Sequence, residues 1–221
     1  MNKTEIAWTE LTWNVWSGCD KVSPGCKFCY AETLAERFRG GTGFPNGFEL
    51  TVREHKITDP LKVKEPSLIF VNSMSDFFLG SVSDELRDQL LDIIEQTPQH
   101  QYQVLTKRPC EMLRYSKRRK LPSNFWAGVS VDTQHFVARL DVLREVDVDI
   151  RFLSAEPLLS HLALNLDGIH WCIAGGESGK HLLNPEIRSK RSLADYDSRT
   201  KTWTPRADRY PWITDIRDQC I

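Results

Sequence analysis

Leu11-Thr-Trp-Asn-Val-Trp16-Ser-Gly-Cys19-Asp-Lys-Val-Ser-Pro-Gly-Cys26-Lys-Phe-Cys29-Tyr-Ala31-Glu-Thr-Leu34-Ala35-Glu-Arg-Phe38 contains one complete strand–loop–helix unit. The apolar run Leu11–Trp16 predicts a strand. Ala31, Leu34, Ala35 and Phe38 recur at helical spacing, and Gly40-Gly41 stops that helix. Between them, Cys19, Cys26 and Cys29 stand in the order C-x6-C-x2-C within one short loop. Three thiolates on a four-iron cluster leave one iron without a protein ligand. An open iron takes a cofactor or substrate, whereas a fully ligated one only passes electrons. The same residue types also suit a structural zinc ion, whose fourth ligand would be His55, Asp20 or a more distant residue.

Outward from this unit the strand–turn–helix rhythm repeats. Further β-rich runs are Phe48–Val52, Leu68–Asn72, Tyr102–Leu105, Phe125–Val131, Ile150–Leu153 and His170–Ala174. Ser83 reads as a helix N-cap, with Asp84 and Glu85 in the positive first turn and Leu86, Leu90, Ile93 and Ile94 as a buried face ended by Pro98. Phe136, Leu140 and Leu143 mark another helix, and Trp212, Ile213, Ile216 and Cys220 a last one. Alternating β and α units predict a parallel sheet covered by helices. With seven strand runs, the expected fold is an α/β parallel (β/α) barrel of TIM type, complete or partial, with the cysteine loop after the first strand. A doubly wound sheet is the alternative. It is disfavoured because no G-x-G-x-x-G follows the first strand. Residues 1–221 are expected to form a single domain, with a charged insertion at about 181–211.

Bulk properties bound the function classes. The chain has 221 residues, 40% hydrophobic and 27% charged, which suits an ordinary globular domain. No stretch approaches a membrane span, and Met1–Thr9 carries no apolar run, so a cytoplasmic protein without membrane partners is expected. In that compartment six cysteines are expected reduced or metal-bound. A net charge of −1 gives no bulk electrostatic case for nucleic-acid binding. The basic run Lys117–Lys120 reads as a solvated helix end. P-loop, G-x-S-x-G and H-E-x-x-H signatures are absent.

On the barrel reading, loops after the strands share one rim. They read Ser17-Gly-Cys19, Ser73-Met-Ser-Asp76, Thr106-Lys-Arg108, Asp132-Thr133, Ser154-Ala-Glu156 and Gly175-Gly-Glu-Ser-Gly179. Strand ends are polar in any fold, but Lys107, Arg108, Glu156 and Glu177 together exceed what leaving a core requires. The charged segment His181–Pro211, with Tyr196, Trp203 and Tyr210 interleaved, would hang over that rim as a lid or as a plain insertion. Trp8, Trp13 and Trp16 bracket the cysteine loop and are expected to shield it from water.

The Cys-x-aromatic-Cys order at Cys26-Lys-Phe28-Cys29 resembles the cluster loop of radical S-adenosylmethionine (SAM) enzymes, although the first gap is six residues instead of three. Six ordered stretches carry a closer resemblance over nearly the whole chain. These are Gly18–Glu32, Asn72-Ser-Met-Ser-Asp76, Leu105-Thr-Lys-Arg-Pro109, Gly128-Val-Ser-Val131, Arg151–Leu159 and Gly175-Gly-Glu-Ser-Gly179. They resemble a radical-SAM-like family of phage and prophage proteins named after phage open reading frames. In that family the segment 181–211 is shorter, and the chain continues into a further strand.

The resemblance implies that Cys19, Cys26 and Cys29 hold a [4Fe–4S] cluster and that Phe28 packs beside SAM. Tyr30, Ser73, Ser75, Asp76, Arg108, Ser130, Gly175, Gly176 and Glu177 join the cofactor-binding set, with Asp76 accepting the SAM amine. Asp76, Lys107 and Glu156 are the implied catalytic residues. Gly175-Gly-Glu177 matches the SAM amino-binding triplet of radical SAM enzymes in letters only, since it follows a late strand. The implied activity is reductive SAM cleavage to a 5′-deoxyadenosyl radical, fed by an electron donor, to modify or repair a nucleic-acid, nucleotide or other phosphate-bearing target. A zinc-stapled binding module and a non-catalytic iron–sulfur protein are the alternatives.

Overall fold

The computed structural model describes residues 1–177 and, beyond them, 184, 186–187, 191–197, 202–206, 208–209, 211–212 and 215–216. Its frame is a seven-stranded sheet. In spatial order this comprises β1 (Asn2–Lys3), β2 (Leu11–Trp13), β5 (Leu68–Val71), β6 (Gln101–Thr106), β7 (Phe125–Ser130), β8 (Ile150–Ala155) and β9 (Trp171–Ala174). β1 pairs antiparallel with β2, and every later pairing is parallel. A separate pair joins β3 (Trp16–Ser17) to β4 (Thr51–Val52). The expected strand Phe48–Val52 is thus a two-residue clasp behind the cysteine loop, outside the main sheet. β10 (Ala194–Asp197) and β11 (Thr202–Pro205) form a further antiparallel pair.

From β2 to β9 each parallel strand lies beside the next one in sequence. Crossovers of one hand that always advance the same way put their helices on one face and curl the sheet. A doubly wound sheet reverses its strand order at a switch point; this one does not. Among the described residues β9 does not pair with β1, so the arc is open and the complete barrel is not formed. The α-helices delimited among the described residues are α1 (Tyr30–Arg37), α2 (Asp84–Gln96), α3 (Pro109–Arg118) and α4 (Arg139–Arg144).

Strand alternation separates two faces. Toward the helices point Ile69, Val71, Tyr102, Val104, Phe125, Ala127, Val129 and Leu153, all no more than 1% exposed. Leu90, Ile94, Met112, Leu140 and Leu143 cover them. Toward the bore point Phe70, Gln103, Trp126, Gly128, Phe152 and Trp171, which the register sets side by side. Gly128 is required there, because a Cβ would overlap the Phe152 ring. Trp8 enters this bore and packs at 4.7 Å on Phe70 and 6.0 Å on Trp171. Below it, at the amino ends of the strands, lies an open cavity of about 850 Å³ lined by Trp8, Gln101, Gln103, Trp126 and Trp171.

Local structure follows side-chain chemistry. The Ser83 hydroxyl accepts the Leu86 N–H at 3.3 Å and caps α2. α1 differs from expectation: only Ala31 and Ala35 are buried, whereas Leu34 and Phe38 are exposed. The inward face of this helix is its alanine face, and its larger apolar groups are turned outward. Trp212 and Ile216 pack on the core, while Ile213 and Cys220 of the expected last helix lie outside the described residues. Cys110 is an exposed residue of α3, and Cys172 packs on the core from β9. Among the described residues no helix is long and apolar enough to cross a membrane.

Candidate functional site

The cysteine loop runs across the carboxyl ends of the parallel strands and is tied to them residue by residue. Asn72, at the end of β5, has a positive φ of 56°, a conformation that asparagine tolerates better than most residues. Its Oδ1 accepts the Val15 and Trp16 N–H groups at 3.1 and 3.4 Å, so β5 fixes the start of the loop. The Gly18 N–H donates to the Met74 carbonyl at 3.2 Å, and the Ser75 hydroxyl donates to the Gly18 carbonyl at 2.5 Å. Gly18 has φ 94°, and a Cβ there would strike the Glu49 backbone. At the far end of the loop the Tyr30 hydroxyl donates to the Ser73 carbonyl. Of the residues the resemblance assigns to the cofactor, Tyr30 and Ser75 hold the loop through these bonds, and the Ser73 hydroxyl pairs with the Asn14 amide at 3.1–3.2 Å.

Two cation–carboxylate couples lie beneath the loop. Arg108 Nη1 sits 3.0 Å from Asp76 Oδ2 and 3.6 Å from Cys19 Sγ. Lys107 Nζ sits 3.6 Å from Asp132 Oδ2 and 3.5 Å from Cys26 Sγ. Each cation therefore faces one carboxylate and one cysteine sulfur. Asp76 is 5% exposed and also accepts the Thr106 hydroxyl at 2.6 Å, the Phe78 N–H at 2.9 Å and the Lys107 N–H at 3.0 Å. Asp132 is fully buried. Its Oδ2 accepts the Gly25 N–H at 2.7 Å and the Ser23 hydroxyl. Its Oδ1 has no hydrogen-bond partner among the described residues.

The two thiols respond differently. Burial, reinforced by the Asp76 charge, pushes the Cys19 thiol up to about 11, with Arg108 pulling the other way. Burial opposes ionisation of Cys26 too, but the Lys107 charge and hydrogen bonds from the Val22 and Ser23 region outweigh it and hold the thiol below its ordinary value. All three loop cysteines are free and partly buried. Among the described residues no three His, Cys, Asp or Glu side chains gather tightly enough to hold a single metal ion.

The rest of the rim converges on the same mouth. The Glu156 carboxylate accepts the Ser154 hydroxyl at 3.3 Å and is hydrogen-bonded by Trp8 from below. Burial raises its pKa, with both hydrogen bonds opposing. Trp8 thus floors the mouth, while Trp13 and Trp16 are fully buried behind the loop, where Trp16 Nε1 donates to the Asp76 carbonyl at 3.2 Å. Gly175 lies against Glu156, where a Cβ would overlap Oε1, so its smallness serves that carboxylate. Gly176 packs near Leu193, and Ser130 Oγ donates to the Glu156 carbonyl at 3.1 Å.

Arg191 pairs with Glu177 at 2.5 Å, donates to the Pro24 carbonyl at 3.0 Å and lies 5.0 Å above the Phe28 ring. The charged segment therefore reaches the cysteine loop. The side chains of Tyr196, Trp203 and Tyr210 lie outside the described residues. Sequence reasoning placed Asp132 on the rim without giving it a role, and read Arg191 only as one charge of the segment 181–211. The position of Asp132 after a strand was the available signal; for Arg191 there was only its charge.

A family model described as "Protein of unknown function (DUF5131)" matches residues 3–201. No curated protein matches the chain. Among solved structures, a cysteine-to-serine mutant of spore photoproduct lyase aligns with a TM-score of 0.59 at 12% identity, covering 99% of this chain and 74% of that one. A second mutant of the same lyase, with bound AdoMet and dinucleoside spore photoproduct, aligns with a TM-score of 0.56 at 13% identity, covering 95% and 71%. At such identity the likeness is one of fold.

Proposed function

From the premise that this chain belongs to the DUF5131 family, we propose that it is an iron–sulfur, SAM-dependent radical enzyme acting on a nucleic-acid or other phosphate-bearing target. One observation carries this reading: three free cysteines of a single loop lie over the carboxyl ends of an ordered parallel arc, with Lys107 and Arg108 at two of the sulfurs. Soft thiolates suit iron–sulfur chemistry, and nearby cations suit the negative charge such a centre carries. The solved neighbour holding AdoMet and a dinucleoside photoproduct supports both the cofactor and the substrate class. The phage or prophage setting and the single domain over 1–221 belong to the same proposal.

Cys19, Cys26 and Cys29 would hold the cluster, which when bound supplies the electron for reductive SAM cleavage. The protein's own share is positioning. Asp76 and Asp132 fix the cations under the loop, Glu156 offers a carboxylate in the mouth, and Trp8 keeps water from entering below. Phe28, backed by Arg191, presents an aromatic face on the loop. Ser130 and Ser154, side by side on β7 and β8, bond the Glu156 carbonyl and carboxylate and hold that residue in place.

The test is metal and sulfide content of protein purified without oxygen, with electron paramagnetic resonance after reduction, with and without SAM. About four irons and four sulfides per chain, and a signal that changes when SAM is added, are expected. One zinc and no iron would establish the binding module instead. A cluster without any SAM response or cleavage would mark a non-catalytic iron–sulfur protein.

A further inference from the structure

We propose that Lys107 and Asp132 act as a matched charge couple that sets the reduction potential of the centre bound at Cys26, with Asp132 as a positioning residue for the cysteine loop. The inference rests on the function proposed above. Lys107 Nζ stands 3.5 Å from Cys26 Sγ, within reach of charging the sulfur's surroundings, and 3.6 Å from Asp132 Oδ2. The same oxygen takes the Gly25 N–H and the Ser23 hydroxyl. One carboxylate therefore both anchors the loop and compensates the cation beside its sulfur. The environment magnifies the effect: Asp132 is fully buried and the Lys107 side chain is 18% exposed, so water screens neither charge well.

The physics gives opposite signs for the two partners. A cation stabilises the state holding one more electron and raises the potential; a carboxylate lowers it. Removing Lys107 leaves Asp132 balanced only by the more distant Arg139 and makes the centre harder to reduce. Neutralising Asp132 leaves Lys107 uncompensated and makes it easier. Loosening of the loop, the other thing either substitution does, has no reason to reverse its sign between them.

The experiment uses the full chain with its cluster reconstituted anaerobically, poised with dithionite as one-electron donor and read by electron paramagnetic resonance. Lys107→Met is expected to shift the midpoint to more negative values and Asp132→Asn to less negative ones, with the double variant between them. Lys107→Arg, which keeps the charge, is expected to stay near wild type. Shifts of the same sign in both single variants, or none in either, overturn the proposal. If Asp132→Asn loads no iron, the contrast between Lys107→Met and Lys107→Arg decides: a shift only in the former supports the couple, and equal behaviour overturns it. A wild-type chain that takes up no iron overturns the proposed function and this inference together. A loaded wild type without charge-dependent shifts overturns this inference alone.

Discussion

Two regions of the molecule are dense in ion pairs, and they use them differently. On the outer faces of α2 and α3, Arg114 meets Asp84 at 2.8 Å, Arg118 meets Asp88 at 2.5 Å and Arg119 meets Asp92 at 2.7 Å. Every one of these pairs has a member at least 44% exposed. At the mouth, Arg108–Asp76 and Lys107–Asp132 have no side chain above 18% exposed. The outer charges satisfy one another and solvent. The mouth charges are shared with cysteine sulfurs and backbone donors, and one buried oxygen of Asp132 is left over. Pairs kept out of water at a cost, and only partly satisfied by each other, are the charges that the proposed function would use.

The comparison breaks most readily at Asp76. Asp76→Ala strips Arg108 of its buried partner and frees the Phe78 and Lys107 N–H groups. A loss of about 3–5 kcal/mol in denaturant unfolding is expected. Glu156→Ala should lower SAM cleavage by about a hundredfold while iron content holds, since it removes a mouth carboxylate that does not touch the cysteine loop. Retained turnover would withdraw Glu156 from the site. Gly128→Ala pushes a Cβ into the Phe152 ring, and about 1–3 kcal/mol of destabilisation is expected. That variant separates tight packing in the bore from charge at the mouth.

The smallest effect belongs to the outer face. Asp84→Asn should cost about 1–2 kcal/mol, since Arg114 is exposed and the buried Arg87 keeps its bonds to the Phe77 and Leu79 carbonyls. Hydrogen bonds from Arg114, assisted by Arg87, hold the Asp84 carboxyl down at about 2. A depressed carboxylate stabilises the fold above its unfolded pKa, and that contribution disappears as pH falls from about 4 toward 2. Thermal unfolding of wild type and Asp84→Asn should therefore converge over that window. An Asp84→Asn cost equal to that of Asp76→Ala would erase the distinction between the two regions.

Much of the arc was legible because strand order follows sequence order. Six of the seven expected strand runs entered the main sheet, and Ser83 capped the helix it was expected to cap. The convergence of Asp76, Lys107, Arg108 and Glu156 on one mouth followed from their places after parallel strands. Three features were out of reach of pattern. Asn2–Lys3 is a short polar edge strand with no apolar alternation to announce it. Leu34 and Phe38 had helical spacing but not the burial it suggests. Asp132 meets Gly25 across 107 residues and Arg191 meets Pro24 across 167, and no local periodicity encodes contacts of that span.

That span also has a consequence for biosynthesis. The chain leaves the ribosome from its amino end, so the three thiols emerge long before the groups that organise them. Cys26 precedes Lys107 by 81 residues, and Gly25 waits 107 residues for Asp132. Until those residues are translated, the loop has neither its cation nor its carboxylate anchor, and its thiols are open to oxidants. The order that Lys107 and Asp132 impose on these thiols is therefore a late event of synthesis, and oxidation of the nascent thiols is the hazard that precedes it.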